Sequence, residues 1–581
     1  MRYDPISLEI LWSRLIAIAD QARLDLLRAT FSLAMRESGD CTIGIMDTEG
    51  NSVAQPAQSP PSFICVPLAL RNFLKTYPPE TLSPGDVLMS NDPWLCSGHL
   101  ADYTVITPIF EGSTLVAYVG GFAHWPDTSG KQIAPDSKEI FEEGLRVPVV
   151  KVMEQGRFNE TVIGFIRNNN RVPEIALGDL HAQISANEIS GLRLLDFLAE
   201  YGIQDLRDLS RQIHSVSEAA MRQVIVALPD GDYFGRVVLD GFEEPITIVG
   251  KITVRGSDIS VDYTGSSLQV NRAINAVPNI VYPYTVYPIK CMLAPEIPIN
   301  EGSYRPISVW APEGSILNPR FPAATGARTL VAHPLHAIVF HALAEALPEK
   351  VQAESGGCPI WSTTWTNIGA PDGERFTHIM FVNGGQGASP MQDGNSCTAF
   401  PSNLGNTPIE ITESETPFFI ERKELRPDSG GPGTYRGGLG QIIEIRVIGT
   451  QYPAEVAFRA GRVKHQENAA HGVLGGRPGA LGRTALNGDF SVDPMLRYMC
   501  TAGDLVRVET PGGGGYGDPR KRDRTVLFDD IANELVSVEA AVKDYGLSRE
   551  ETDPAKSPPP LRDGGYSIPT ARVIHRDTGS G

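Results

Sequence analysis

Residues 91–127 read NDPWLCSGHLADYTVITPIFEGSTLVAYVGGFAHWPD, and this stretch contains a clear β-hairpin pattern. Thr104–Phe110 and Thr114–Phe122 are rich in β-branched and aromatic residues, which favour strands. Glu111-Gly112-Ser113 between them is typical of a turn. The pattern predicts two antiparallel strands that return the chain to its starting level.

Polar residues lie at the base of this predicted hairpin. His99 and Asp102 are three residues apart, close enough to share an ion, and the hairpin is expected to bring His124 beside them. Two imidazoles and one carboxylate suit Zn²⁺, Mn²⁺ or Fe²⁺. On spacing alone, a structural hydrogen-bond network explains the same residues at least as well, because His-x-x-Asp is a weak signal without its context.

Three further acids are candidates for the same site. Glu37 ends the first predicted helix just before a strand, so it is the natural candidate for a fourth metal ligand. Asp40 and Asp127 are candidates for supporting the ligands or for transferring a proton in the reaction.

The whole chain predicts a multidomain α+β protein, with mixed sheets of short strands and one long N-terminal helix. That helix is expected over Pro5–Arg36, with Asp4 as its N-cap. Further helices are expected over Pro173–Val226 and Thr329–Leu347, whereas 230–320 suggests alternating strands. We expect an N-terminal domain with the proposed metal site over 1–230, a middle α/β domain over 231–355, a strand-rich C-terminal domain over 356–519, and a tail over 520–581 with one helix and irregular structure.

Composition excludes several classes of function. The formal net charge of −19 makes nucleic-acid binding improbable. The seven cysteines are scattered without a Cys-x-x-Cys pair, which argues against a disulfide framework and a cysteine zinc site. We find no signal peptide and no apolar run long enough for a membrane span, so a cytoplasmic protein is expected.

Other motifs carry little chemistry. The sequence has no P-loop and no Gly-x-Ser-x-Gly elbow, and the run Thr510–Gly517 is better explained as a tight turn than as an anion site. His333 and His336 lie among apolar residues, which favours core or subunit contacts. The aromatic residues Trp94, Phe122 and Trp125 flank the proposed ligands and suit either a substrate pocket or core packing.

A series of ordered blocks resembles the hydantoinase B/oxoprolinase family. These blocks cover nearly all of the chain before the tail and are specific together: Asn91-Asp92-Pro93 with Gly98-His99-Leu100-Ala101-Asp102, Phe122-Ala123-His124-Trp125, Ile140–Pro148, Arg171–Glu174 with Gly178-Asp179-Leu180, Asp262–Gly265, Ala311–Ser315 with Leu317-Asn318-Pro319, Glu424–Gly431 and Thr510–Gly517.

The resemblance implies one half of a two-part enzyme. The other half, which is hydantoinase A-like, binds ATP and phosphorylates the carbonyl or enol oxygen of the substrate. The half that this chain resembles is expected to catalyse the second step. In hydantoin, 5-oxoproline or lactam hydrolases that step opens the ring, and in acetone and acetophenone carboxylases it forms a carbon–carbon bond with activated bicarbonate.

The resemblance also favours metal binding. The carboxylase branch of the family carries a metal on a Glu, a His-x-x-Asp pair and a later His, which correspond to Glu37, His99, Asp102 and His124. A divalent ion, Mn or Zn and possibly Fe, would activate water for ring opening. Asp40 or Asp127 would then take the proton.

The expected function is therefore one subunit of an ATP-dependent cyclic-amide hydrolase acting in a hetero-oligomer. The alternative is one subunit of an ATP-dependent ketone carboxylase. The chain is shorter than the carboxylase large subunits and carries no fused A-like half, which slightly favours the hydrolase. A non-haem iron oxygenase would more typically show His-x-Asp than His-x-x-Asp. A scaffold subunit with a vestigial site also stays open.

Overall fold

A computed structural model describes residues 3–551, which form helices and four sheets whose strands pair mostly antiparallel. The strands in this part of the chain are β1 Cys41–Met46, β2 Ser52–Ala54, β3 Val87–Ser90, β4 Asp102–Glu111, β5 Thr114–His124, β6 Val150–Glu154, β7 Arg157–Phe158, β8 Gly231–Leu239, β9 Ile246–Arg255, β10 Asp258–Asp262, β11 Ile307–Trp310, β12 Trp361–Asn367, β13 Thr377–Val382, β14 Phe418–Leu425, β15 Gln441–Val447, β16 Ala454–Arg459, β17 Arg483–Leu486, β18 Arg497–Cys500 and β19 Leu505–Glu509.

The helices described are α1 Pro5–Ala29, α2 Leu33–Arg36, α3 Cys65–Thr76, α4 Glu160–Asn168, α5 Pro173–Tyr201, α6 Arg207–Val226, α7 Pro278–Leu293, α8 Glu301–Tyr304, α9 Thr329–Ala332, α10 Leu335–Leu343, α11 Ile409–Glu415, α12 Arg524–Ala532 and α13 Val538–Tyr545. This content confirms the predicted α+β class. None of these helices is both long and apolar enough to cross a membrane.

The first sheet holds the predicted hairpin at its centre. Its strand order is β2-β1-β5-β4-β3-β6-β7, and β4 pairs with β5 as expected. Helices α1 and α5 cover one face and α3 covers the other, so the sheet is buried on both sides. Strand β1 is accordingly buried at every position and has no polar face.

Strand β5 approaches its two neighbours closely because it carries Gly120 and Gly121. A Cβ atom at Gly121 would lie 1.7 Å from the carbonyl oxygen of Thr42 on β1, and one at Gly120 would lie 2.6 Å from the carbonyl oxygen of Val105 on β4. Only glycine permits this approach without a backbone shift. The glycine pair therefore fixes the spacing of the strands that end at the site.

The remaining sheets are formed by later parts of the chain. One has the order β11-β10-β9-β8, with α7 and α10 packed in the same core. Two others, β13-β12-β16-β18 and β14-β15-β19-β17, enclose a core that contains Trp361, Trp365 and Phe418. The boundaries drawn at 230, 355 and 519 stay predictions.

The N-terminal helix is shorter than predicted. Asp4 caps it, since its side chain accepts from the backbone N–H groups of Ile6 and Ser7. The helix ends at Ala29 instead of Arg36, because the chain becomes extended at Thr30 before α2 begins. The carboxylate of Asp179 on α5 accepts hydrogen bonds from the two backbone N–H groups at positions 31 and 32, which stabilises the break.

Two other helix predictions were wrong in extent. Pro173–Val226 divides into α5 and α6 because Gly202 adopts a left-handed conformation and ends α5. Thr329–Leu347 divides into α9 and α10 around Pro334, whose ring removes a backbone donor.

The 230–320 region also departs from its strand prediction. It contains α7, a buried helix that includes Pro283 and Pro288. Local propensity disfavours proline inside a helix, so burial in the core outweighs propensity here. The tail has two helices, α12 and α13, where one was expected, and the predicted irregular segment over 552–581 lies outside the described residues.

We predict that Gly121→Ala lowers the melting temperature, because the new methyl group meets the backbone of β1. An overpacked site of this kind costs about 1–3 kcal/mol. Differential scanning calorimetry of the purified chain would measure the change.

Gly164→Ala is the matched control. Gly164 lies in α4, and a Cβ atom added to it would meet open space, so its replacement is expected to leave the melting temperature unchanged or slightly higher. Equal melting temperatures for Gly121→Ala and the wild type would contradict the packing argument.

Candidate metal centre

The ends of three neighbouring strands bring two acids and a histidine together. In the register of β4 and β5, Asp102 lies opposite His124. Asp40 directly precedes β1, and its backbone carbonyl accepts a hydrogen bond from the backbone N–H of His124 at 3.0 Å. Nδ1 of His124 lies 3.7 Å from a carboxylate oxygen of Asp40. The sheet register therefore sets this part of the site.

His99 completes a compact buried group with Asp102 and His124. Nε2 of His99 lies 2.8 Å from Oδ1 of Asp102, and Nδ1 of His124 lies 3.0 Å from the same oxygen. The two imidazole rings are 5.2 Å apart between centroids, and all three side chains are almost fully buried. This confirms the predicted juxtaposition of the three residues.

Residues from distant parts of the chain hold this group in place. Arg328 donates to Oδ2 of Asp102 at 3.0 Å and to the carbonyl oxygen of Ser97 at 2.7 Å. The carbonyl oxygen of Gly326 lies 3.2 Å from Nδ1 of His99. Gly326 is itself held by Glu143, whose Oε1 accepts from the backbone N–H groups of Thr325 and Gly326 at 2.6 and 2.7 Å.

Burial sets the protonation states of the site. Burial, together with the charge of Arg328, lowers the pKa of His99 to about 3, so this imidazole is neutral at pH 7. Burial opposes ionisation of Asp102, but its contacts with His99, His124 and Arg328 hold the pKa of its carboxyl group well below its usual value. Burial raises the pKa of Asp40 to about 6.

Two ring nitrogens at the site are available to a cation. His99 has an oxygen beside each ring nitrogen, since the carbonyl oxygen of Gly326 is 3.2 Å from Nδ1 and Oδ1 of Asp102 is 2.8 Å from Nε2. A neutral imidazole carries one proton and cannot donate to both oxygens, and with the proton on Nδ1 the lone pair of Nε2 is open to a metal ion. Nε2 of His124 is buried and has no hydrogen-bond partner among the described residues. The donor set of two nitrogens and a carboxylate therefore suits a divalent metal ion.

The structure does not bring Glu37 or Asp127 to this group. The carboxylate of Glu37 pairs with Nε of Arg36 at 2.9 Å instead. Asp127 is fully buried and accepts hydrogen bonds from the side chains of Arg171 and Gln132. Among the three acids singled out from the sequence, only Asp40 lines the cavity beside the histidines.

The three aromatic residues that flank the ligands pack away from the cavity. Trp125 stacks on Tyr103 with ring centroids 3.7 Å apart and donates to Gln183. Phe122 belongs to the core under α3, and Trp94 packs against Phe321. Core packing is thus the better of the two interpretations of these residues.

The cavity has a volume of about 30 Å³, enough for an ion or about one to two water molecules. Its walls include four residues to which sequence reasoning gave no role at the site: Tyr284, Arg328, His333 and Arg459. His333 is buried, as expected, but its ring faces this cavity and its Nε2 lies 3.0 Å from the hydroxyl of Tyr284. Their positions, hundreds of residues from His99, give no local spacing signal.

Comparison with known proteins places these features in a family. The hydantoinase B/oxoprolinase family matches residues 4–519. The B subunit of a putative D-/L-hydantoinase from Pseudomonas sp. (strain NS671) is 28% identical over 592 aligned positions, which cover 95% of this chain and 96% of the relative.

Two solved structures share the fold. The ATP-dependent caprolactamase from Pseudomonas jessenii is 27% identical, with a TM-score of 0.86 over 95% of this chain and 98% of that one. A nucleotide-free acetone carboxylase superposes with a TM-score of 0.82 over 94% of this chain and 80% of that one, at 19% identity, which is a likeness of fold.

We predict a pH-dependent stability effect of Glu143→Gln. Burial raises the pKa of Glu143 to about 8, above its ordinary value of 4.5. Between these pH values the native state binds more protons than the unfolded state, so the wild type loses stability as pH rises. The variant has no such proton, and its melting temperature relative to the wild type is expected to rise steadily from pH 5 to pH 8.

Glu142→Gln serves as the control for this titration. Its carboxylate pairs with Lys131 at the surface, which lowers its pKa, so it stays ionised throughout this pH range. Its difference from the wild type is expected to be constant. If the melting temperatures of Glu143→Gln and the wild type differ by the same amount at every pH, the raised pKa of Glu143 is contradicted.

Proposed function

The chain belongs to the hydantoinase B/oxoprolinase family, and on this premise we propose that it is one subunit of an ATP-dependent hydrolase of cyclic amides. The observation that carries the proposal is the buried group of His99, Asp102 and His124, which lies in a chain similar over nearly its whole length to the caprolactamase. The proposed substrates are hydantoins, 5-oxoproline or lactams.

The proposed enzyme needs a second subunit. One relative is named as the B subunit of a hydantoinase and another as the beta subunit of a caprolactamase, and both names support a hetero-oligomer. This chain has no P-loop, so we assign ATP binding and carbonyl phosphorylation to a hydantoinase A-like partner. Phosphorylation of the amide oxygen makes the ring carbon a better electrophile and provides a good leaving group.

We assign a divalent ion, Mn or Zn and possibly Fe, to His99, Asp102 and His124. Glu37 was predicted as the fourth ligand, but its carboxylate contacts Arg36, so we assign the ion to the other three residues alone. A bound divalent ion supplies Lewis acidity and makes water a stronger nucleophile at neutral pH.

The residues of the chain provide the remaining chemistry. Arg328 keeps Asp102 oriented and ionised, and the carbonyl oxygen of Gly326 can accept the proton of Nδ1 of His99, which would leave Nε2 for the ion. The half-buried carboxylate of Asp40 borders the cavity and is placed to accept a proton from water there. The buried walls keep bulk water away from the activated substrate.

We predict that the chain, combined with its ATP-binding partner, opens a cyclic amide with ATP and without bicarbonate. Removal of a residue that hydrogen-bonds to a metal ligand typically lowers metal affinity or activity about 10–100-fold. His99→Ala removes a ligand itself, so we expect it to lower the rate of ring opening at least about 100-fold. The ring-opened acid would be measured by liquid chromatography and mass spectrometry.

His465→Ala is the matched control, because His465 is exposed and lies outside the cavity. It is expected to retain wild-type turnover. Labelled bicarbonate that appears as a carboxylate in the product would contradict the hydrolase and indicate a ketone carboxylase. Full activity of His99→Ala would instead indicate a scaffold role for this subunit.

A further inference from the structure

Arg459 differs from every other buried arginine in the described part of the chain. It is the last residue of β16 and lies opposite Ser362 of β12 in the sheet. The residue is 3% exposed, and its side chain lines the cavity beside the histidine group. Within residues 3–551 its side chain forms no ion pair or hydrogen bond, and its Nε is buried without a partner. The other four buried arginines all pair with carboxylates: Arg328 with Asp102, Arg436 and Arg522 with Asp530, and Arg462 with Glu354.

An unpaired buried charge destabilises a protein unless a ligand of opposite charge neutralises it. Taking an ion out of water costs several kcal/mol when no opposite charge compensates. Burial lowers the pKa of Arg459 to about 10, so the guanidinium is still protonated at neutral pH. The cavity wall therefore carries a positive charge that no acid of the described chain contacts directly.

Besides Nε2 of His99 and Nε2 of His124, three more unpartnered polar groups belong to residues that line the same cavity. The hydroxyl groups of Thr329 and Ser402 and Nδ1 of His333 are all buried without a hydrogen-bond partner among the described residues. Here the two hydroxyls, the imidazole and the guanidinium border one small space, where a single ligand rich in acceptor oxygens would satisfy them together.

We propose that Arg459, Thr329, Ser402 and His333 bind the phosphoryl group of the activated substrate. This inference rests on the proposed function, because the partner must supply an O-phosphorylated cyclic amide. A phosphoryl group presents several acceptor oxygens, and a guanidinium binds two of them through its planar fork. The cavity of about 30 Å³ is smaller than a phosphoryl group, so its walls must move apart when the substrate enters. The anchored phosphoryl group would then hold the ring carbon near the histidine group that lines the same cavity.

Inorganic phosphate tests the site without a substrate. Isothermal titration calorimetry and thermal melting of the full-length chain would compare the wild type, Arg459→Met and Arg497→Met. Arg497 is the matched control, since it lies on the neighbouring strand β18 and pairs with Asp136 and Glu455 outside the cavity. We expect phosphate to bind and stabilise the wild type and Arg497→Met. Phosphate is expected to bind Arg459→Met at least about tenfold more weakly, because this variant lacks a charged hydrogen-bond donor.

Stability without phosphate separates a binding role from a structural one. Because the side chain of Arg459 has no partner among the described residues, Arg459→Met is expected to melt at or above the wild-type temperature. If this variant does not fold, Ser402→Ala serves instead and is expected to weaken phosphate binding several-fold. A large fall in melting temperature with unchanged phosphate binding would overturn the proposal, as would stabilisation by bicarbonate or acetate equal to that by phosphate.

His99→Ala distinguishes this proposal from the function on which it rests. The anion site does not include His99, so this variant is expected to retain phosphate binding while it loses hydrolysis. Normal hydrolysis by a complex that carries Arg459→Met would overturn the anion site alone. Phosphate binding by a wild-type complex that opens no cyclic amide would overturn only the hydrolase assignment.

Discussion

The carboxylate of Asp102 is the contact on which the site depends. One of its oxygens meets both His99 and His124, and the other accepts a hydrogen bond from Arg328. Asp102 begins β4, so its place is fixed by the pairing of β4 with β5, which itself pairs with β1. The close approach of β5 to both neighbours requires Gly120 and Gly121. The interior of the first sheet therefore positions the chemistry at its end.

The cavity gathers its charges from distant parts of the chain. The first sheet supplies Asp102 and His124, and the segment between β3 and β4 supplies His99. Arg328 comes just before α9, and Arg459 comes from β16. The guanidinium of Arg328 is neutralised by Asp102, whereas that of Arg459 has no partner among the described residues. The cavity therefore combines donor atoms that suit a cation with a guanidinium that suits an anion. This combination fits a reaction in which a phosphorylated substrate meets an activated water, and it links the two proposals.

Local pattern predicted the hairpin and the meeting of His99, Asp102 and His124, because strand alternation and an antiparallel turn fix that geometry. The pattern failed where a few backbone angles or distant contacts decide the outcome. Glu37 caps α2 and turns toward Arg36, whereas Asp40, three residues later, reaches the cavity. Arg328, His333 and Arg459 had no signal, because only the folded chain brings residues so far apart in sequence to one space.

Metal analysis of the purified chain by inductively coupled plasma mass spectrometry tests the central claim most directly. We expect close to one equivalent of Mn, Zn or Fe in the wild type, retention of that metal in Glu37→Gln, and its loss in His99→Ala. A wild-type chain without metal after purification in metal-supplemented buffer, or equal metal in His99→Ala, would contradict the claim that His99, Asp102 and His124 form a metal centre.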